Sequence, residues 1–201
     1  ALSHFQLGQQ KLKNDNPKDA ISDFILAKKI DPSLVAALVG RGNCHLQLNL
    51  LAAAYNDFSE VIAADVRDKS ILIDAYFGRA EVSMAEQKWD RAISDLTRGL
   101  ALQPTVTRRS EFLTHRGRCY SSRKSEPLAD LRKSIHDFED AIEINPSLRA
   151  VLRAERVNNH RELGLLLLKE FDLKPGRKTV DDAIEHLQSV TRVDPTAFGT
   201  I

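Results

Sequence analysis

The sequence is poor in the residues that would tie it to several large classes of protein. Two cysteines in 201 residues cannot build a disulfide framework, so nothing favours secretion. Nine glycines and 6% aromatic residues disfavour a turn-rich β protein and leave few platforms on which single-stranded nucleic acid could stack. Neither charge sign is in excess: 29 Lys and Arg face 28 Asp and Glu, a net charge of +1. That balance lacks the basic surplus that drives non-specific nucleic-acid binding, and equally the acidic surplus of a solvated, disordered chain. The longest apolar stretch, Leu163 to Leu168, is far short of the roughly 20 residues a membrane helix needs, and no basic-then-apolar pattern opens the chain. A soluble chain in a reducing, cytoplasmic setting is expected, with 42% hydrophobic residues available for a core.

What the sequence does have is periodicity. Gly8 and Gly42, Ala20 and Ala54, and Phe24 and Phe58 are all separated by 34 residues. The next step is 38 in each column (Gly42 to Ala80, Ala54 to Ala92, Phe58 to Leu96), which puts an insertion between repeats at residues 65–69. In the fourth repeat the first helix follows after 37 residues but the second only after 42 (Leu96 to Phe138), so five extra residues are expected in the turn around residues 123–127. Within each unit apolar residues recur at intervals of three and four, the pattern of an amphipathic helix. All seven prolines fall at helix ends or in turns, where the missing N–H costs nothing. Asn16-Pro17 with Asp19 is a helix start, Asn capping and Pro pre-setting the first turn. Ten helices are expected, near 2–13, 17–30, 33–48, 51–64, 70–86, 89–102, 107–122, 128–144, 147–170 and 178–193. The ninth offers two registers.

These residues resemble the tetratricopeptide repeat (TPR) family, whose signature is a bulky residue, Leu-Gly and a Tyr in a first helix, then Ala, an aromatic residue and Ala in a second, closed by Pro. Repeat one carries Leu7-Gly8, Ala20, Phe24, Ala27 and Pro32; repeat four carries Leu113, Gly117, Tyr120, Phe138, Ala141 and Pro146. Repeats two and three keep Leu38, Gly42, Ala54 and Phe58, then Tyr76, Ala80, Ala92 and Pro104; repeat five keeps Ala183, Leu187, Val190 and Pro195, with Leu163-Gly164 as a displaced counterpart. The resemblance implies an all-α, right-handed α-solenoid of about five helical hairpins. They form one domain over 1–201, with repeats at about 1–34, 35–68, 73–106, 109–148 and 149–197. The first residue is Ala1, and Thr196–Ile201 follow Pro195 without a polar capping helix, so an excerpt of a longer chain is expected.

Two charge columns accompany the repeats. Asp23, Asp57, Asp95 and Asp137 form one; Arg41, Arg79 and Arg116 form the other in repeats two to four. Intra-repeat ion pairs Arg41–Asp57, Arg79–Asp95 and Arg116–Asp137 are the expected structural role, with Asp23, opposite Leu7, as the free member. Residues 103–133 hold eight basic and three acidic residues. The run is either a solvated face or a docking patch, through Arg108, Arg109, Arg118, Arg123 and Lys124, for an acidic or phosphorylated segment.

No chemistry is legible. The six histidines show no metal spacing, Cys44 and Cys119 read as small packing residues, His4 and His45 as helix-packing histidines, and Gly40 and Gly42 flank Arg41 inside a helix instead of forming a phosphate loop. No enzyme, cofactor, metal, membrane or small-molecule substrate is expected.

The resemblance instead implies a concave face lined by first helices, here Phe5, Gln9, Leu12, Val39, Asn43, Gln47, Phe77, Glu81 and Met84, holding an extended or helical segment of a protein partner. Such a chain is a scaffold or adaptor. An RNA-binding helical repeat is the alternative, disfavoured by the near-neutral charge. A co-chaperone-like module without a carboxylate clamp is another: at the five positions where chaperone-tail grooves carry Lys, Asn and Arg, this chain has Phe5, Gln9, Gly40, Asp74 and Gly78.

Overall fold

The structure is a computed structural model that describes residues 1–173 and 177–195. Among them it shows eleven α-helices and no strand. They are α1 (Leu2–Lys13), α2 (Pro17–Ile30), α3 (Ala36–Gln47), α4 (Leu51–Ala63), α5 (Lys69–Ala85), α6 (Trp89–Ala101), α7 (Val106–Ser122), α8 (Pro127–Ile144), α9 (Leu148–Val151), α10 (Arg153–Leu173) and α11 (Arg177–Val193). The all-α class expected from the sequence is the observed one. Two compact units divide the chain, residues 1–104 with α1 to α6 and residues 105–201 with α7 to α11. Expectations attached to Pro175 and to Thr196–Ile201 lie outside the described residues.

In the first unit the hairpins are closed by the same turn three times. Asp15, Asn49 and Gln87 take positive φ (56°, 57° and 58°) just past α1, α3 and α5. The next amide in each case reaches back five residues: Asn16 N–H to Lys11 O, Leu50 N–H to His45 O and Lys88 N–H to Ser83 O, at 2.8–2.9 Å. This is the Schellman arrangement, which satisfies helix-end carbonyls and reverses the chain in three residues. Junctions between hairpins use an acid or amide and a serine. Asp31 accepts from the amide and hydroxyl of Ser33, Asp68 from those of Ser70, and Asn145 from those of Ser147. The turn at Asp31 delays the start of α3 to Ala36, three residues after the sequence expectation.

The glycines explain how closely the helices cross. Phe24 lies between Gly8 of its own hairpin and Gly40 of the next; Phe58 lies between Gly42 and Gly78. A Cβ on any of these four would come within 3.0 Å of a ring carbon. Both rings are buried, in clusters with Ala20, Ala27, Ala37 and Cys44 for Phe24, and with Leu38, Ala54, Val61 and Val82 for Phe58. The pair Gly40 and Gly78 therefore belongs to inter-hairpin packing.

In the second unit the expected five-residue turn insertion is corrected. Helix α7 stops five residues after Gly117, as α1 and α3 stop five after Gly8 and Gly42, and only residues 123–126 separate it from α8. The remaining extra residues form an added first turn of α8. Pro127 opens that turn, and Leu128 and Leu131 pack it against Leu163 and Leu167 of α10. The single long helix expected at 147–170 is likewise two, α9 and α10, divided at Leu152, which is fully buried with Phe138 and Ile142. Its register is fixed by Gly164, where a Cβ would meet Leu187 Cγ at 2.8 Å, just as Gly117 meets Phe138 at 2.6 Å. Leu163-Gly164 is thus the small-residue crossing of repeat five.

Candidate functional site

The first helices of the first unit converge on a concavity of about 210 Å³. Phe5, Gln9 and Leu12 come from α1, Val39, Gly40 and Asn43 from α3, and Ile71 and Asp74 from α5, with Phe24 beneath. Five of the nine residues expected on the groove face meet here: Phe5, Gln9, Leu12, Val39 and Asn43. Gln47 is exposed at the end of α3, Phe77 is buried, and Glu81 and Met84 are half-buried on α5; none of the four lines the concavity. Gly40 and Asp74 do line it. Ile71 was not singled out from sequence; it belongs to the first turn of α5, whose start is marked by the Asp68 cap on Ser70. The lining is apolar at its base, with two amides and one carboxylate.

The Asp column is fully engaged. Arg41 approaches both oxygens of Asp57 (Nη2 to Oδ1 2.5 Å), and His45 Nδ1 lies 2.8 Å from Oδ2. Arg79 grips Asp95 through Nε at 2.8 Å and Nη2 at 2.7 Å, and Arg116 grips Asp137 with the same pair of distances. These are bidentate forks on buried carboxylates, and the hydrogen bonds to the aspartates hold all three guanidinium pKa values above their ordinary value. Arg79 also donates to Ser59 Oγ of the preceding hairpin at 3.1 Å and lies over Tyr55 and Tyr76. Asp23 is not free: Lys11 Nζ is 2.6 Å away and His4 Nδ1 3.2 Å. Burial raises its pKa, but these two partners outweigh burial and hold it below the ordinary carboxylate value. His4 and His45 each join the two helices of a hairpin through a buried carboxylate, Asp23 and Asp57.

The basic run of repeat four is mostly consumed within its own unit. Arg123 pairs with Asp130 at 2.5 Å, Arg118 with Glu155 at 3.1 Å, Arg108 with Glu111 at 2.8 Å and Arg132 with Asp182 at 3.5 Å. Lys133 lies over the Tyr120 ring. Arg109 and Lys124 are exposed. Most of the row is thus paired, locally by Glu111 and Asp130 and from afar by Glu155 on α10 and Asp182 on α11, while Arg109 and Lys124 stand outside these pairs.

The fold also brings together His160 and His186, 26 residues apart, with Nδ1 atoms 3.1 Å from each other. Burial first, and then the neighbouring His186, lowers the His160 pKa to about 4; burial and then Arg132 lower that of His186. Glu139 and Arg156 act on His160, and Asp182 and Glu185 on His186. Both rings are neutral at pH 7, one donating to the other. A histidine whose folded pKa is depressed binds more protons when unfolded, so its contribution is complete above about 6.5 and is lost as pH falls toward 4. Stability against urea is expected to fall by up to roughly 3 kcal/mol across that window, and His160→Gln should flatten the dependence. Equal slopes in the two proteins would refute the assignment.

Cys44 and Cys119 are buried free thiols, and burial pushes them up to about 11 and about 12, far from thiolate chemistry at pH 7. Among the described residues no three His, Cys, Asp or Glu side chains are placed to hold a metal ion, and no helix is long and apolar enough to cross a membrane.

Comparisons place this architecture among known proteins. No family model matches the chain. MamA from Desulfovibrio magneticus RS-1 superimposes with a TM-score of 0.62 at 16% identity, over 96% of this chain and 94% of that one. YrrB, described as a TPR protein with an unusual peptide-binding site, does so with a TM-score of 0.63 at 15% identity, over 97% and 87%. The fold is the tetratricopeptide-repeat fold. A human relative, tetratricopeptide repeat protein 6, is 30% identical over 129 residues, 64% of this chain. The chain spans 22% of the length of that TPR protein.

Proposed function

We propose that this TPR chain is a non-catalytic protein-interaction scaffold or adaptor that holds an extended or helical partner segment against α1, α3 and α5. The observation that carries this is the convergence of Phe5, Leu12, Val39 and Ile71 with the amides of Gln9 and Asn43, a pocket of mixed apolar and polar lining whose amides are able to fix a peptide backbone. That YrrB, of similar fold, has a peptide-binding site supports the reading. The inaccessible thiols and paired aspartates support a non-catalytic role, and two reduced cysteines suit a cytoplasmic compartment.

Peptides selected on an array by the full chain are expected to lose at least tenfold in affinity with Gln9→Ala/Asn43→Ala, while the melting curve stays unchanged. Retention of full affinity would refute the groove. A peptide ending in Glu-Glu-Val-Asp is expected not to bind at tens of micromolar, about −6 kcal/mol. Its carboxylates would meet Asp74 where lysine is required. Calorimetric binding that disappears on amidating the C-terminus would overturn this exclusion.

A further inference from the structure

The second unit contains a separate concavity of about 650 Å³ bounded by α8, the 146–150 segment, α10 and the end of α11. Four arginines line it: Arg149, Arg153, Arg156 and Arg192. Two of them are held in place. Arg156 donates twice to Glu139 Oε1, at 2.9 and 2.5 Å, and Arg153 pairs with Asp194. Arg149 and Arg192 are exposed, and neither has a carboxylate partner among the described residues. Four guanidiniums therefore line one cavity with a single carboxylate, Glu139, while Asp194 engages Arg153 without lining it. The rest of the lining is chiefly apolar, with Ile142, Pro146, Ala150 and Val193 forming a wall.

We propose that this cavity is an oxyanion site for a phosphorylated serine or threonine in a segment of a partner protein. Guanidinium forks match the oxygens of a phosphate bidentately, and a dianion offsets the uncompensated charge of Arg149 and Arg192. The volume and the apolar wall accommodate the residue beside the phosphate, which a free phosphate ion would leave unused. The lining holds no aromatic ring on which a base could stack, which disfavours single-stranded nucleic acid. The site lies in the other unit from the groove at α1, α3 and α5, and stands or falls independently of it.

The test uses the full chain, an oriented library of phosphoserine peptides, its unphosphorylated twin and a twin with glutamate at the phosphorylated position. The phosphorylated library is expected to be retained at least tenfold better than either twin. The best peptide, titrated by fluorescence anisotropy, should weaken at least tenfold in Arg149→Ala/Arg192→Ala, whose exposed side chains leave folding intact. Lysine at both positions should restore binding only in part, because it keeps the charge and loses the fork. Equal retention of the three libraries, unchanged affinity in the double alanine variant, or equally tight binding of a mixed-sequence single-stranded RNA would each overturn the proposal.

Discussion

Gly78→Ala is expected to destabilise the first unit by about 1–3 kcal/mol, although it adds a single methyl group. That carbon would sit 2.3 Å from Phe58 Cζ, and the ring cannot yield, being fully buried with Gly42 on its other side. Repeat three suggests the compensation: Ala80 stands in the Gly42 column, and the second helix carries Leu96 in place of the ring. Phe58→Leu alone should also destabilise, through the space it leaves. Combined with Gly78→Ala, the total should fall short of the sum of the two by at least about 0.5 kcal/mol. Urea unfolding of the four proteins measures the coupling, and strict additivity would show that the two residues do not share the crossing.

Arg123→Ala is expected to cost more, about 3–5 kcal/mol, because it strands the carboxylate of Asp130, 1% exposed, without its cation. Arg123→Ala/Asp130→Ala should recover most of that loss, since the charge is then removed with its partner. Lys124→Ala, next door and exposed, should change stability by no more than about 0.5 kcal/mol. Were Arg123 a docking residue, its replacement would leave the unfolding curve where it was and weaken only a partner complex.

These two sites mark the boundary of what the sequence makes legible. Small and aromatic columns at 34- and 38-residue spacing are readable because a close helix crossing admits few residue types, and most helix ends followed from them to within a residue or two. The ion pairs of the Arg and Asp columns were equally accessible, since both partners recur at fixed positions. Asp130 has no column: it exists only in the turn added to α8, and an insertion looks the same in sequence whether it becomes loop or helix. The Schellman turns at Asp15, Asn49 and Gln87 were hidden because none uses glycine at the left-handed position. Asp23 seemed free because its partners replace the missing arginine from elsewhere on α1, Lys11 one turn on and His4 one turn back. In the groove, Ile71 escaped notice because a half-buried isoleucine looks the same whether it faces a core or a cleft. His160 and His186 illustrate a further limit, because residues 26 apart on successive helices meet only once the register at Gly164 is known.

Because Phe24 rests on one glycine from its own hairpin and one from the next, a hairpin in the first unit is not a self-sufficient module. Cutting the chain after residue 34 would remove Gly40 and leave one face of Phe24 bare; cutting after residue 68 would do the same to Phe58 through Gly78. Fragments ending at those points should stick to one another or unravel from their cut end, whereas residues 1–104 keep both rings covered. The natural unit of excision is therefore a pair of hairpins plus the following first helix, out of step with the repeat that defines the sequence.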